Sequence, residues 1–272
     1  MRKSLLALGV VAAMSAPAMA ADYSDGDIHK NDYKWLQFNL MGAINEKPGN
    51  STHDYLEMEF GGRSGIFDLY GYVDVFNLTT DSGSDKAEAN SKIFMKFAPR
   101  MSLDAVTGKD LSFGPVKELY VATLIEWDGA TEKADTFAVN NQKIGIGSDV
   151  EVPWFGKVGL NLYGTYDGNE KDWNGFQIST NWFKPFYFFE NGSFISYQGY
   201  IDYQFGMEDN AGNKFGSTSS TGGAMFNGIY WHSDRFAVGY GLKAYQDVYG
   251  IEDSKGFRSS GVTNYLAVTY KF

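Results

Sequence analysis

From residue 33 to the C-terminus the chain alternates apolar and polar side chains, one segment after another. In residues 55–60 (YLEMEF) the even positions are apolar. In residues 67–75 (FDLYGYVDV) the odd positions are apolar, and the even ones carry two aspartates with two tyrosines between them. Residues 157–167, 193–205, 235–245 and 261–272 behave alike. A period of two sends successive side chains to opposite faces, so these segments read as strands with two chemically different faces. No stretch has a strong helical period. Many of the segments run for roughly 10 residues, the length a tilted strand needs to cross a bilayer.

The connections sharpen this reading. Counted from Lys34, the pattern divides into about twelve strands, in keeping with the size of bilayer-spanning strand and turn units. Polar connections follow the odd strands, around 45–53, 79–91, 128–137, 167–175, 207–222 and 246–260. The links after the even strands are mostly tighter: 61–65, 102–112, 148–155, 185–192 and 232–235. Long loops at one end and short turns at the other describe a transmembrane antiparallel β-barrel, and an even strand count leaves both termini at the periplasmic, short-turn end. A large soluble β-sandwich or lectin is the rival. The last strand argues against it: Leu266, Val268, Tyr270 and Phe272 share one face and the last of them is aromatic, the pattern of a barrel assembly signal.

The first residues read as a leader. Arg2 and Lys3 precede an apolar run over 4–14, and Ala18-Met19-Ala20 has the small-x-small form of a cleavage site. The run is too short to span a membrane as a helix. The expected division is a signal peptide at 1–20 and a single barrel domain at 21–272. The style of the leader is bacterial, so the expected location is the Gram-negative outer membrane, crossed many times.

Composition excludes several classes. There is no cysteine, hence no disulfide scaffold, thiol enzyme or cysteine-ligated zinc. The formal net charge is −10, the wrong sign for a nucleic-acid binder. Aromatic residues make up 17%, far too many for a disordered chain. No cofactor motif and no metal-ligand spacing occurs. Glycines 159, 239 and 241 fall on lumen-facing positions and form no phosphate cradle, since no helix follows them.

In a barrel the apolar face meets lipid and the mixed face lines the lumen. Leu56, Met58, Phe60, Phe67, Leu69, Val73 and Val75 then point outward, with Ile93, Met95, Phe97, Leu119, Val121, Ile125, Ile195 and Ile201. Tyr55, Glu57, Glu59, Asp68, Tyr70, Tyr72 and Asp74 point inward. So do Phe94, Lys96, Arg100, Glu118, Tyr120, Glu126, Lys243 and Tyr245, and the row Phe194, Ser196, Gln198, Tyr200, Asp202 and Gln204. A slip of one residue would put four of these acids into lipid, so the phase is strongly selected. The lumen set combines acids, a few bases and many rings. Rings stack on flat solutes, and acids and amides bond hydroxyls and base edges. That lining suits an uncharged, ring-containing polar solute. Equally, the tyrosines could fill a narrow barrel while the acids pair with Lys96, Arg100 and Lys243; the residues alone leave both readings open. Trp35, Trp127, Trp154, Trp182 and Trp231 read as girdles at the two membrane–water boundaries.

Several blocks resemble the nucleoside-specific channel-forming family, Tsx. They are residues 55–60 with 67–74, residues 93–104 (IFMKFAPRMSLD), residues 110–118 (DLSFGPVKE), the Trp173-Asn174-Gly175 turn and the closing residues 265–272 (YLAVTYKF). The likeness extends over nearly the whole chain after the leader and is greatest to the branch called outer-membrane protein K. It implies a twelve-stranded monomeric barrel with a narrow lumen and facilitated diffusion of nucleosides and deoxynucleosides. It implies lumenal contacts from aromatic and charged side chains, here Tyr55, Glu57, Glu59, Asp68, Tyr70, Tyr72, Asp74, Lys96, Arg100 and Glu118; Tyr120 shares their face. It also implies a role as bacteriophage receptor through exposed loops. The stretch 60–66 (FGGRSGI) departs from the family pattern in being glycine-rich. The further partners expected are outer-membrane lipid and lipopolysaccharide, the barrel assembly machinery, and no nucleic acid.

Three other functions compete. An outer-membrane enzyme would need a site, and His232-Ser233-Asp234 has the residue types of a hydrolytic triad, but neighbours on a tight turn cannot adopt its geometry. Turn chemistry is the reading for Ser233 and Asp234, a surface loop for His53, and the N-terminal tail for His29. A general small-solute porin would have more strands. A surface-recognition barrel would act through loops 79–91, 207–222 and 246–260 without nucleoside specificity.

Overall fold

A computed structural model describes residues 21–23, 25–79, 92–129, 138–209 and 218–272. The expected leader and parts of the expected loops 79–91, 128–137 and 207–222 lie outside the described residues. The described strands are β1 (Tyr33–Glu46), β2 (Ser51–Ser64), β3 (Phe67–Phe76), β4 (Ile93–Phe97), β5 (Arg100–Ser102), β6 (Val116–Trp127) and β7 (Asn140–Val152). They continue with β8 (Gly156–Asp167), β9 (Asp172–Phe188), β10 (Phe194–Phe205), β11 (Thr221–His232), β12 (Phe236–Gln246) and β13 (Gly261–Lys271). β4 and β5 are two halves of one stave. Both pair with β3 on one side and β6 on the other, and the break falls at Pro99, which has no N–H to give to the ladder. The thirteen segments therefore make twelve staves.

Every stave is antiparallel to its neighbours, and β1 closes the sheet by pairing with both β2 and β13. Closure satisfies every strand edge, the condition for β-structure in lipid. The start of β1 and the end of β13 stand at the same end, where Gln37 pairs with Lys271. At that end the turns are tight, except that residues 103–115 carry a one-turn helix, α1 (Leu103–Thr107). Its N-cap is the Ser102 hydroxyl, which accepts from the Ala105 N–H at 3.1 Å. At the opposite end the long connections are 77–92, 128–139, 206–220 and 247–260.

Two expected loops contract. The chain turns at 47–50, with Asn45 and Gly49 at positive φ, and the polar residues that read as loop on either side are already strand. Ser51 and His53 point into the lumen, where polarity is no bar to being in a strand. Likewise the connection after β8 is only 168–171.

The burial pattern is inverted relative to a soluble protein. On β13 and just after it, Leu266, Val268, Tyr270 and Phe272 are exposed, while Thr263, Tyr265, Ala267 and Thr269 are buried. The outer face continues through Ile144, Ile146, Leu160, Leu162 and Ile178. Asn39, Lys143, Asn161, Gln177 and Ser196 lie buried within. Trp127, Trp154 and Trp231 are exposed, and Trp182 packs outward over Gly199 and against Tyr197. Trp35 corrects the girdle reading. It shares the inward face of β1 with Gln37, Asn39 and Met41 and lines the lumen. Its indole lies over Gly61, where a Cβ would stand 2.7 Å from the ring. The glycine-rich stretch 60–66 is thus the slot for this indole, with Gly65 turning the chain at φ 55°. The lumenal glycines 239 and 241 do the same for Tyr230 and Phe226.

Placing arginine at Leu162, on the outer face of β8, should cost ~2–4 kcal/mol of barrel stability. Arginine at the exposed turn residue Trp154 should cost far less. Denaturant unfolding of the protein folded into vesicles measures both.

Candidate functional site: the lumen

The barrel encloses a cavity of about 1180 Å³ that runs from Asp32 near the terminal end to Tyr249 and Phe257 at the loop end. The two ion-pair systems in it hold most of the charged residues expected in the lumen.

Nearest the terminal end is a charged belt. Arg100 Nη2 contacts Asp68 Oδ1 and Asp149 Oδ1, each at 3.0 Å, with its guanidinium carbon 4.0 Å from the centre of the Tyr120 ring. Arg63 donates to Glu118 Oε2 at 2.9 Å and to the Tyr120 hydroxyl at 2.7 Å. Tyr120 donates to Asp149 at 3.2 Å, and Lys157 completes that carboxylate's shell at 3.1 Å. Arg100, Asp68, Glu118 and Tyr120, four of the expected residues, are therefore parts of one interlocked structure.

Higher up, Lys96 on β4 reaches Asp202 on β10 at 2.8 Å. These strands stand on opposite sides of the barrel order, so the pair is a strut across the lumen. Lys96 also lies 3.5 Å from Glu126, which pairs with Lys143; Lys143 donates to Gln177 at 2.6 Å, and Gln177 to Ser179 at 2.8 Å. Beside the strut, the wall of β1–β3 carries Glu57, Glu59 and Asp74. Asn39 donates to Glu57 at 2.6 Å and to Glu59 at 3.0 Å. Gln37 and the Tyr70 hydroxyl donate to Glu59 at 2.6 and 2.9 Å. Asp74 stands directly across the ladder from Glu57.

Rings fill the space between these groups. Tyr72 faces Phe94 at 6.1 Å, Tyr200 stacks with Phe226 at 5.9 Å, and Tyr55 packs on Phe76 at 5.6 Å. Lys243, expected to pair with an acid, instead lies over the Tyr200 and Tyr245 rings, at 5.6 and 4.9 Å. At the loop end His53 is a lumen residue rather than a loop residue: its Nε2 is 3.1 Å from Glu46, its Nδ1 is 2.9 Å from the Ser51 hydroxyl, and it is buried. His232 ends β11 inside the wall, with its ring stacked on Phe194 at 4.6 Å and Nε2 2.8 Å from Ser196 Oγ. Ser233 closes the next turn through the backbone of Phe236, as its turn reading required. His29 bonds Asp32 in the exposed N-terminal segment.

The expected pairing of acids with bases holds for part of the lumen. Asp68, Asp149, Glu118, Glu126 and Asp202 are neutralised by bases, and Glu57 and Glu59 are held by amides and a phenol. Arg63, Asp149 and Phe226 complete the lining, with Tyr23, Lys143 and Gln177 buried beside it, and none of them had been singled out. For Arg63 the signal was available, since it continues the inward row Tyr55, Glu57, Glu59.

A closed twelve-stave barrel, apolar outside and lined by paired charges and rings, defines an outer-membrane channel. Comparison with known proteins agrees. A family model described as "Nucleoside-specific channel-forming protein, Tsx" matches residues 30–272. "Outer membrane protein OmpK" of Vibrio parahaemolyticus serotype O3:K6 is 78% identical over 272 residues, all of both chains. "Nucleoside-specific channel-forming protein Tsx" of Salmonella typhimurium is 29% identical over 85% of each chain. Among solved structures, a NanC porin aligns with a TM-score of 0.48 at 7% identity, over 86% of this chain and 98% of that one. The chain belongs to the Tsx family of channel-forming proteins, on its OmpK branch. It is a protein of the Gram-negative outer membrane and not an enzyme.

Arg100 bridges two buried carboxylates, so Arg100→Ala should destabilise the barrel by ~3–5 kcal/mol. Adding Asp68→Asn and Asp149→Asn should recover much of that loss, because the charges left unpaired are then gone. Denaturant midpoints of the vesicle-embedded variants report the difference.

Proposed function

We propose that the channel passes nucleosides and deoxynucleosides by facilitated diffusion. The observation that carries this reading is the pairing of rings with hydrogen-bonding groups in a lumen where Arg63, Lys96, Arg100, Lys143 and Lys157 are matched to acids. Tyr72 with Phe94, and Tyr200 with Phe226, offer flat faces to a base. Glu57, Glu59 and Asn39 lie beside them to meet ribose hydroxyls and base edges. Tyr55, Tyr70 and Asp74 complete this contact wall. The Lys96–Asp202 strut narrows the passage without leaving a net charge there, which disfavours ions relative to an uncharged solute. The relatives named for nucleoside channels support the same solute class. The exposed row Leu266, Val268, Tyr270 and Phe272 is proposed as the signal read by the barrel assembly machinery, and the barrel as a monomer seated among lipid and lipopolysaccharide.

The loop end supports a second role, recognition by a bacteriophage. Loop 247–260 is folded onto itself: Asp253 accepts from the N–H groups of Ser259 and Ser260, each at 2.9 Å, and from Arg258 Nε at 3.1 Å. The Ser260 N–H holds the Asp253 carboxyl below its ordinary pKa. A built loop presents a fixed surface to a particle.

In planar bilayers, adenosine or thymidine should block ion current saturably, and a sugar should not. Tyr72→Ala and Tyr200→Ala should each weaken the block by ~1–3 kcal/mol, the worth of one stacked base. Current indifferent to nucleosides in the parent protein would make the lumen a general small-solute pore. For the loop, replacing residues 248–259 by a short Gly-Ser turn should abolish adsorption of phage selected on cells bearing this protein and leave nucleoside block unchanged. Undiminished adsorption would remove this loop from the phage site.

A further inference from the structure

The N-terminal segment before β1 does not hang free. Tyr23 is only 6% exposed. Its phenol oxygen accepts from Arg63 Nη1 at 2.9 Å and donates to Glu118 Oε1 at 3.4 Å. Arg63 is on β2 and Glu118 on β6, with β3 and the β4–β5 stave between them, so the ring is wedged between separated parts of the wall. A second anchor stands at the rim, where the Gly65 N–H in the β2–β3 turn donates to Asp32 Oδ1 at 2.7 Å. The described residues around the anchors bond to one another. Lys30 Nζ pairs with Asp25 at 3.0 Å and with Asp22, and Asn31 Nδ2 donates to the Asp22 carbonyl at 3.1 Å. Ala21, Lys30, Asn31 and Asp32 line the end of the cavity.

The barrel wall does not require this arrangement. Arg63 is already satisfied by Glu118 and the Tyr120 hydroxyl, and Glu118 by Arg63 and the Ser102 hydroxyl. Ordering a tail costs conformational entropy, and a tail with no place to bind frays. Here it is tied at Tyr23 and at Asp32, beside the terminal end of the lumen. We propose that the segment 21–32 is a plug in the periplasmic mouth, latched by Tyr23 between Arg63 and Glu118, and that full opening requires the latch to release. The latch bonds are few and are replaceable by water or by a solute hydroxyl, so release leaves no buried charge unpaired. The plug is independent of which solute the channel carries.

The test is unitary ion conductance in planar bilayers, with no nucleoside present, of protein made with its natural leader and its mature N-terminus fixed by mass spectrometry. Tyr23→Ala and a deletion of residues 22–29 should each raise conductance about twofold or more, because both remove side chains from the periplasmic mouth. Tyr23→Phe, which keeps the ring and loses both hydrogen bonds, should show more frequent transitions to that higher level. The deletion lies wholly outside the strands and so leaves the ladders intact; heat-shifted gel mobility checks that the barrel has formed. Unchanged or lower conductance in the folded deletion variant would overturn the plug, whatever Tyr23→Ala does. Because the readout is ionic, failure of the plug and failure of nucleoside passage are separate results.

Discussion

Lipid offers no hydrogen bonds, and that single fact dictates the rest of the molecule. A sheet can lie in hydrocarbon only if its first and last strands pair, and β1 with β13 does this. Closure then fixes the phase of every strand, since one face must be apolar along its whole length. Once the phase is fixed, the acids and bases along the middle of the staves are forced into the same narrow interior. The lumen is charged because the outside cannot be.

That crowding raises its own problem. A charge shut into a narrow cavity is costly unless it is matched. The structure meets the cost with geometry rather than by thinning out the charges. Arg100 serves two carboxylates, Asp149 accepts from three neighbours, and Lys96 reaches across the barrel to Asp202. Such a network stiffens the wall at the same time as it cancels the field. Glycines do the matching job for volume: where a ring must lie flat inside, as with Trp35 over Gly61 or Tyr230 over Gly239, the neighbouring strand gives up its side chain.

What could be read from sequence follows from how local each rule is. The two-residue alternation is local, so the strands, their phase and the inward rows from Tyr55 to Asp74 were all legible. Pairing across the lumen is not local. Lys96 and Asp202 are separated by 106 positions, and only the circumference of the closed barrel brings them together. His53 and Trp35 misled for a different reason. A histidine beside Ser, Thr and Asp looks like a loop, and a tryptophan near a strand end looks like a girdle, because both habits come from strands whose neighbours face water or lipid. Here both side chains share parity with acids and amides, Trp35 with Gln37 and Asn39, and His53 with Tyr55 and Glu57. Parity was the stronger signal in each case.

Parity also explains why the resemblance to the Tsx family survives at 29% identity. An outward position need only be apolar, so lipid-facing residues can exchange freely with one another. An inward position is bound to specific partners on other strands, and changing Arg100 alone would strand Asp68 and Asp149. Drift is therefore cheap on one face and coupled on the other, and a change in solute preference must come either through linked substitutions or at sites outside the ion network. Tyr72, Phe94, Tyr200 and Phe226 are such sites. Their mutual contacts are rings on rings, Tyr200 alone also lying under Lys243, and a ring can be traded for another ring without leaving a buried charge, so the part of the lumen best suited to meet a solute is also the part most free to be retuned.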